Sequence, residues 1–388
     1  MSAETQVAIY HTPMLFVALE LASKSWKVAT SAGAAQRARV VSVDPYALGQ
    51  LEEELAKARR RFGLPPACEV KAVMEAGRDG FAVHRWLADA GIESIVIDPA
   101  SVEVSRHQRR AKTDRLDAEK LVANLVRHHL LGEQCWRVCR VPSEEEEDRR
   151  HLMREREKLV KEQTRHVNAL RGLLTTQGID SVNLAGSQNL ATVLEEVRDP
   201  RGRPVMPGKR AQILREWDRL QLVRRQLRDV ELQMNRAVAA APDESLPEAY
   251  EKAARIAQSK GIGAVTALTL ALELFGWREF RNRREVGSVA GLVPTPYNTG
   301  ESAREQGISK AGNARVRRVM IEAAWSWLRY QPESALSKWF NAKFAAGKRK
   351  KGIVALARKL LIAFWRVAET GVYPEGTVLK STRQAKGA

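Results

Sequence analysis

The chain has 388 residues, with 64 lysines and arginines against 46 aspartates and glutamates, a formal net charge of +18. That length implies two or three domains, and that charge a polyanionic partner, with nucleic acid ahead of a membrane surface. No apolar run is long enough to span a bilayer, and Cys68, Cys135 and Cys139 are too few for a disulfide framework.

From residue 14, MLFVALELASKSWKVATSAG reads as two short strands divided by a polar turn, and ARVVSVD as a third, together a meander. The apolar start has no positive residues ahead of it and runs at once into a lysine-containing turn. It is therefore read as a strand and not a signal peptide, which places the protein in the cytoplasm. PYALGQLEEELAKARRRFG carries apolar positions at helical spacing and stops at a glycine. ACEVKAVMEAG is then a buried strand, RDGFAVHRWLADAG a helix, and IESIVIDPA another strand. Hairpin strands followed by alternating helix and strand predict an α/β domain on a mixed sheet. A helix opening near Thr113, with that threonine as N-cap, closes it.

Residues 144–178 are charged nearly throughout, with a thin apolar seam, and predict one long helix; residues 208–238 predict a second. The RDPRGRPVMPG between them can continue neither. The pair reads as an antiparallel helical hairpin or coiled coil that could join subunits. From Phe275 to Ala388 there are 22 lysines and arginines against 8 acids, so most of the positive surplus is local to this end. The expected division is an α/β domain over residues 1–140, the helical hairpin over 141–256, and a basic, mainly α-helical domain over 257–388.

Within AKTDRLDAEK, Asp114 and Asp117 stand at i and i+3 and would share a helix face, a repulsive arrangement unless a cation lies between them. Lys112, Arg115 and Lys120 offset part of that charge, and on its own the pair reads as a solvated face of mixed charge. Glu20 in FVALELA and Glu75 at the end of VKAVMEAG change the balance, because a carboxylate in an apolar strand needs a partner. Four acids from two strands and a helix could meet at one sheet edge, where oxygen donors suit Mg²⁺ or Mn²⁺. Such ions support phosphodiester chemistry.

In the basic region, SKGIGAV ahead of an apolar helix reads either as a helix-hairpin-helix element, with Gly261 and Gly263 approaching a phosphate, or as a plain helix turn. SKAGNARVRRVM gathers Lys310, Arg315, Arg317 and Arg318 near GKRKKG, which should make nucleic-acid binding salt-dependent. The aromatics of IEAAWSWLRY and IVALARKLLIAFWRV recur at helical spacing and read as core.

A strand acid, a strand-end acid and the D-x-x-D of KTDRLDA resemble the N-terminal domain of the insertion-sequence-110 (116/902/1111) family of transposases, DEDD type. FRNRREVGSVAGLVPTPYNTGESAREQGISKAGNARVRRVMIEAAW resembles that family's second domain almost from end to end. The resemblance implies a ribonuclease-H-like (RuvC-like) first domain whose metal-binding acids are Glu20, Glu75, Asp114 and Asp117. It also implies a composite site completed by a serine of the second domain, DNA as substrate and a structured guide RNA; exchange between two duplexes would need several such sites, hence a homodimer or homotetramer. Two positions depart from the family pattern: Glu20 stands where the family name has aspartate, and Thr299 where it has serine, with Ser302 in reserve as a hydroxyl. A water-using two-metal nuclease and a nucleic-acid-binding protein without catalysis are the alternatives left open by the residues.

Overall fold

The computed structural model describes residues 13–33, 36–102, 113–180, 182–185, 189–240, 247–299, 302–344 and 349–380. The chain separates into two compact units at Pro142–Ser143. In the first, the meander is β1 (Met14–Leu21), β2 (Trp26–Ser31) and β3 (Arg39–Val43), all antiparallel. Helix α1 (Leu48–Phe62) leads to β4 (Glu69–Glu75), and α2 (Gly80–Asp89) to β5 (Glu93–Ile97). β4 is parallel to β1 and β5 to β4, giving the five-stranded mixed order β3-β2-β1-β4-β5. The elements predicted for this segment are the ones found.

β1 is central and buried on both faces, as a strand covered from two sides must be. Leu15, Val17 and Leu19 meet Leu51 and Leu55 of α1 and Val83 and Leu87 of α2. Phe16 and Ala18 turn the other way, to Ala118, Leu121, Val122 and Leu125 of α3 (Asp114–Leu131). The N-cap of α3 is Thr113, whose hydroxyl accepts the Leu116 N–H at 3.3 Å.

In the second unit the long charged helix expected over 144–178 is broken. α4 (Glu144–Asp148) opens with a Ser143–Glu146 capping box, and the chain turns at Arg149 and Arg150 before α5 (His151–Thr175). Arg150 is 3 % exposed, with its guanidinium 5.3 Å from the Trp277 ring. A straight helix judged by charge alone would leave that arginine in water; its packing on an aromatic face accompanies the break. α5 lies against α7 (Pro207–Ala240). Arg156 pairs with Glu231 at 2.8 Å and His166 with Glu216 at 2.7 Å, so the two helices run antiparallel.

A short helix that the periodicity did not reveal, α6 (Leu190–Glu196), inserts Leu190 and Leu194 among Leu170, Leu174, Ile213 and Trp217 at the far end of the pair. At the near end Met153, Leu159, Val230 and Met234 join the main core of the unit. That core is built by α8 (Glu248–Ala257), α9 (Ala264–Leu270) with a π turn at Ala271–Phe275, α10 (Arg283–Val289), α11 (Ala314–Tyr330), α12 (Ala335–Phe344) and α13 (Arg349–Thr370). Trp327 and Phe364 are fully buried and meet edge to face at 5.8 Å, so these aromatics are core as expected. Between α10 and α11 lies an antiparallel ribbon, β6 (Pro294–Thr299) and β7 (Ser302–Ile308). Its two prolines sit at a register irregularity, which is where a sheet tolerates them.

Candidate active site

The placement of the acids follows from strand register. β1 and β4 pair in parallel up to Leu19 and Met74, so Glu20 and Glu75 are the next residues on adjacent strands, at the same end of the sheet. Side chains alternate along a strand. Phe16, Ala18 and Val73 face α3, whereas Leu19 and Met74 face α1 and α2, so Glu20 and Glu75 fall on the α3 face. Gly80 keeps the start of α2 against this strand end, since a Cβ there would lie 2.4 Å from the Glu75 carbonyl.

α3 runs antiparallel to β1. The ring of His129, near its C-terminus, is 5.6 Å from Phe16, near the start of the strand, and this turns the helix N-terminus toward the end that carries Glu20. Ala118, Leu121, Val122 and Leu125 form the buried stripe of α3. Stepping back four residues from Leu121 and Ala118 gives Asp117, half-buried, and Asp114, exposed, as the continuation of that stripe. Thus one sheet end and one face receive all four predicted acids. They share an edge without forming a closed cage: among the described residues, no three acidic, histidine or cysteine side chains are close enough to hold a metal ion. The donor chemistry, carboxylate oxygens throughout, suits Mg²⁺ or Mn²⁺. Lys27 stands opposite Glu20 in register, with its amine donating to Ser42 at 2.6 Å.

The two predicted hydroxyl residues are register partners in the second unit: Thr299 ends β6, Ser302 begins β7, and they pair across the ribbon. The predicted basic contacts are less uniform than their sequence suggests. Lys112 lies outside the described residues. Arg115 is exposed and bonds to Glu119 at 3.1 Å. Gly261 has φ +89° and presses on Tyr330, where a Cβ would come within 2.8 Å, and its carbonyl accepts the Ser326 hydroxyl; its observed role is close packing. Gly263 is exposed and caps α9. Lys310 takes φ +56° and is exposed. The Arg317 guanidinium donates inward to the carbonyls of Ala290 and Lys310, at 3.0 and 2.9 Å. Arg315 and Arg318 reach Glu157 of α5 at 2.6 and 3.2 Å. An acid was thus missed in sequence among the many charges of α5.

A model described as the Transposase IS116/IS110/IS902 family matches residues 253–338, and a DEDD transposase model of the IS110 type matches residues 52–178. The chain is 42 % identical over 379 residues to a Sinorhizobium fredii protein named "Putative transposase y4rJ", covering 95 % of both chains. The chain belongs to the IS110 family of transposases. It is also 27 % identical to the transposase for insertion sequence element IS1328 of Yersinia enterocolitica, over 79 % of this chain and 85 % of that one. The transposase for IS1111A of Coxiella burnetii is 26 % identical over 76 % of each. In this IS110-family transposase the DEDD match takes in Glu75, Asp114 and Asp117, and the other match takes in Thr299 and Ser302. Glu20 precedes both matches, and its place beside Glu75 comes from the pairing of β1 with β4.

Glu157 of the transposase carries an electrostatic signature. Burial pushes its carboxyl up, but hydrogen bonds from Lys161 and Arg315 and the charges of Arg315 and Arg318 outweigh that and hold it down at about 2. A depressed carboxylate adds stability above its unfolded value, near 4.3, that is lost as pH falls through the folded value. Arg315 and Arg318 are about half exposed and Lys161 more so, so solvent reduces the contribution to roughly 1–2 kcal/mol at neutral pH. Glu157→Gln should therefore lower the thermal midpoint at pH 7 and show a flatter loss of stability between about pH 5 and pH 2. Parallel melts across that range check this; equal slopes for the two proteins would contradict it.

Proposed function

We propose that this transposase cuts and rejoins DNA strands through a composite site: the acid edge of the first unit and a hydroxyl of the β6–β7 ribbon. The convergence of Glu20, Glu75, Asp114 and Asp117 on one face and one end of the sheet carries the reading. The strand order, with a meander on one side of β1 and parallel crossovers on the other, supports a ribonuclease-H-like (RuvC-like) first domain. In functional terms residues 1–140 hold metal, 141–256 assemble a homodimer or homotetramer, and 257–388 engage DNA. The α5–α7 pair supports the second role, and the local positive surplus the third.

Mg²⁺ or Mn²⁺ held by the four acids would supply charge stabilisation at a scissile phosphate. The acids position the ion, and basic residues, Arg115 of α3 and Lys112 by its place in the sequence, would offset backbone charge. The Thr299 hydroxyl, with Ser302 in reserve, attacks phosphorus, forms a protein–DNA phosphoester and releases a sugar hydroxyl. The phosphodiester energy is conserved for strand exchange. Exchange between two duplexes needs more than one such site, which is the reason for an oligomer. A structured guide RNA that pairs with both DNA partners, as in the family this chain resembles, sets the target, and the cytoplasm is the place of action.

The test combines purified protein, the element's RNA, DNA carrying element ends, and Mg²⁺, followed by denaturing gels. A DNA species that migrates with the protein until protease is added is the expected result. Its persistent absence beside an active family member defeats the covalent scheme.

A further inference from the structure

The apolar run ALTLALELFG carries a single acid, Glu273. α9 passes into the π turn Ala271–Phe275, closed by the Gly276 N–H on the Ala271 carbonyl at 2.7 Å, and Glu273 sits within it. π turns inside helices recur at functional positions. Glu273 is only 4 % exposed. Its Oε2 accepts from the Asn313 amide at 3.1 Å, but among the described residues its buried Oε1 accepts no hydrogen bond, and Arg154 Nε lies 3.8 Å from it. A buried carboxylate oxygen without a donor is costly and points to a missing one.

Glu273 lines a cavity of about 330 Å³ within the second unit. That is at the small end of ligand sites, roughly 300–1,000 Å³. Val160, Met234, Val265 and Val319 give it apolar walls, and Arg315 and Arg318, each about half exposed, stand on its solvent side. A lone metal ion is a poor occupant. Glu157 and Glu322 line the cavity too, but Glu157 is held by Lys161, Arg315 and Arg318, and among the described residues no three acidic, histidine or cysteine side chains are close enough to hold a metal ion. A flat apolar ring with two adjacent N–H donors fits better. Apolar walls desolvate its faces and the carboxylate takes its donor edge, while Arg315 and Arg318 stay paired with Glu157.

We infer that this cavity receives one unstacked nucleobase, guanine in preference, with its N1–H and 2-amino edge on Glu273. The inference deepens the nucleic-acid reading above and rests on it. It assigns to the second unit base recognition that the acid edge does not provide.

Full-length protein is titrated with guanosine, inosine and adenosine 5′-monophosphates, by calorimetry and saturation-transfer NMR. Inosine monophosphate lacks the 2-amino group, and adenine presents an acceptor at N1. Guanosine monophosphate should bind tightest, inosine monophosphate about fivefold more weakly, and adenosine monophosphate more weakly still, in line with the usual worth of a bidentate base contact. Glu273→Gln should weaken guanosine monophosphate at least tenfold. Val160→Phe, which fills the cavity and leaves the carboxylate, should do the same. Each variant is paired with a thermal melt and with duplex DNA binding.

Equal binding of the three nucleotides, no binding of any, or guanosine monophosphate binding unchanged in both variants overturns the pocket. If the wild type still links to DNA under those outcomes, the strand-exchange reading stands without it. Guanine preference lost in both variants, in a protein that never forms the DNA adduct, keeps the pocket and removes the covalent scheme.

Discussion

Asp117→Asn lowers strand cleavage by about a thousandfold and leaves the fold in place. The argument rests on two magnitudes. Asp117 lies in the first turn of α3, where an acid gains about 0.3–1 kcal/mol from the helix N-terminus. Asparagine therefore costs at most about that much stability, a shift of roughly 1–4 °C in the thermal midpoint for a unit of this size. If the carboxylate holds a metal ion at the scissile phosphate, its loss removes several kcal/mol of transition-state stabilisation. About 4 kcal/mol is three decades in rate. Single-turnover cleavage, melts and Mn²⁺ titration on the same preparations separate the two roles. Arg115→Ala, one helix position from Asp114 and exposed, should cost only DNA affinity and salt sensitivity. Cleavage by the asparagine variant within tenfold of wild type would reduce Asp114 and Asp117 to a solvated, dipole-compatible helix start.

The second large effect lies in the ribbon. Thr299 and Ser302 are cross-strand partners, so both hydroxyl residues occupy the same end of β6–β7, and sequence alone does not rank them. If Thr299 is the nucleophile, Thr299→Ala removes the protein-linked DNA and lowers exchange by roughly 10⁴-fold or more, the scale of loss of a nucleophilic hydroxyl. Ser302→Ala then keeps most of the activity. Thr299→Ser should raise the rate several-fold, because removing the methyl frees χ1 and opens the approach to phosphorus. The reverse ranking would move the role to Ser302. Cleavage that survives in the double alanine variant, without an adduct, would make water the nucleophile.

Different parts of this chain were legible to different degrees. The meander, α1 to α3 and the Thr113 cap follow from local signals, namely apolar periodicities of two and 3.6 and a hydroxyl ahead of a helix. The break between α4 and α5 was hidden, because what settles it is the burial of Arg150 near Trp277, far along the chain, and a charge pattern reads that arginine as solvent-facing. α6 was hidden as well, since two leucines in seven residues make too short a pattern to distinguish from a loop. The basic cluster shows the same limit in electrostatic form. Its count was plain, but Arg317 turns to backbone carbonyls, and Arg315 and Arg318 share Glu157, a residue with nothing in its local sequence to set it apart.

What the order of residues determined by itself was the family likeness, the alternation of elements in the first unit and the presence of two acids in apolar strands. Local periodicity and residue type carry that information, and both act over a few positions. What only the tertiary structure decided was that Glu20 and Glu75 share a face with the start of α3, and that Glu273 meets a cavity instead of solvent. Those facts depend on the parallel register of β1 with β4 and on the packing of α5, α7 and α11 around α9, contacts between residues far apart in the chain.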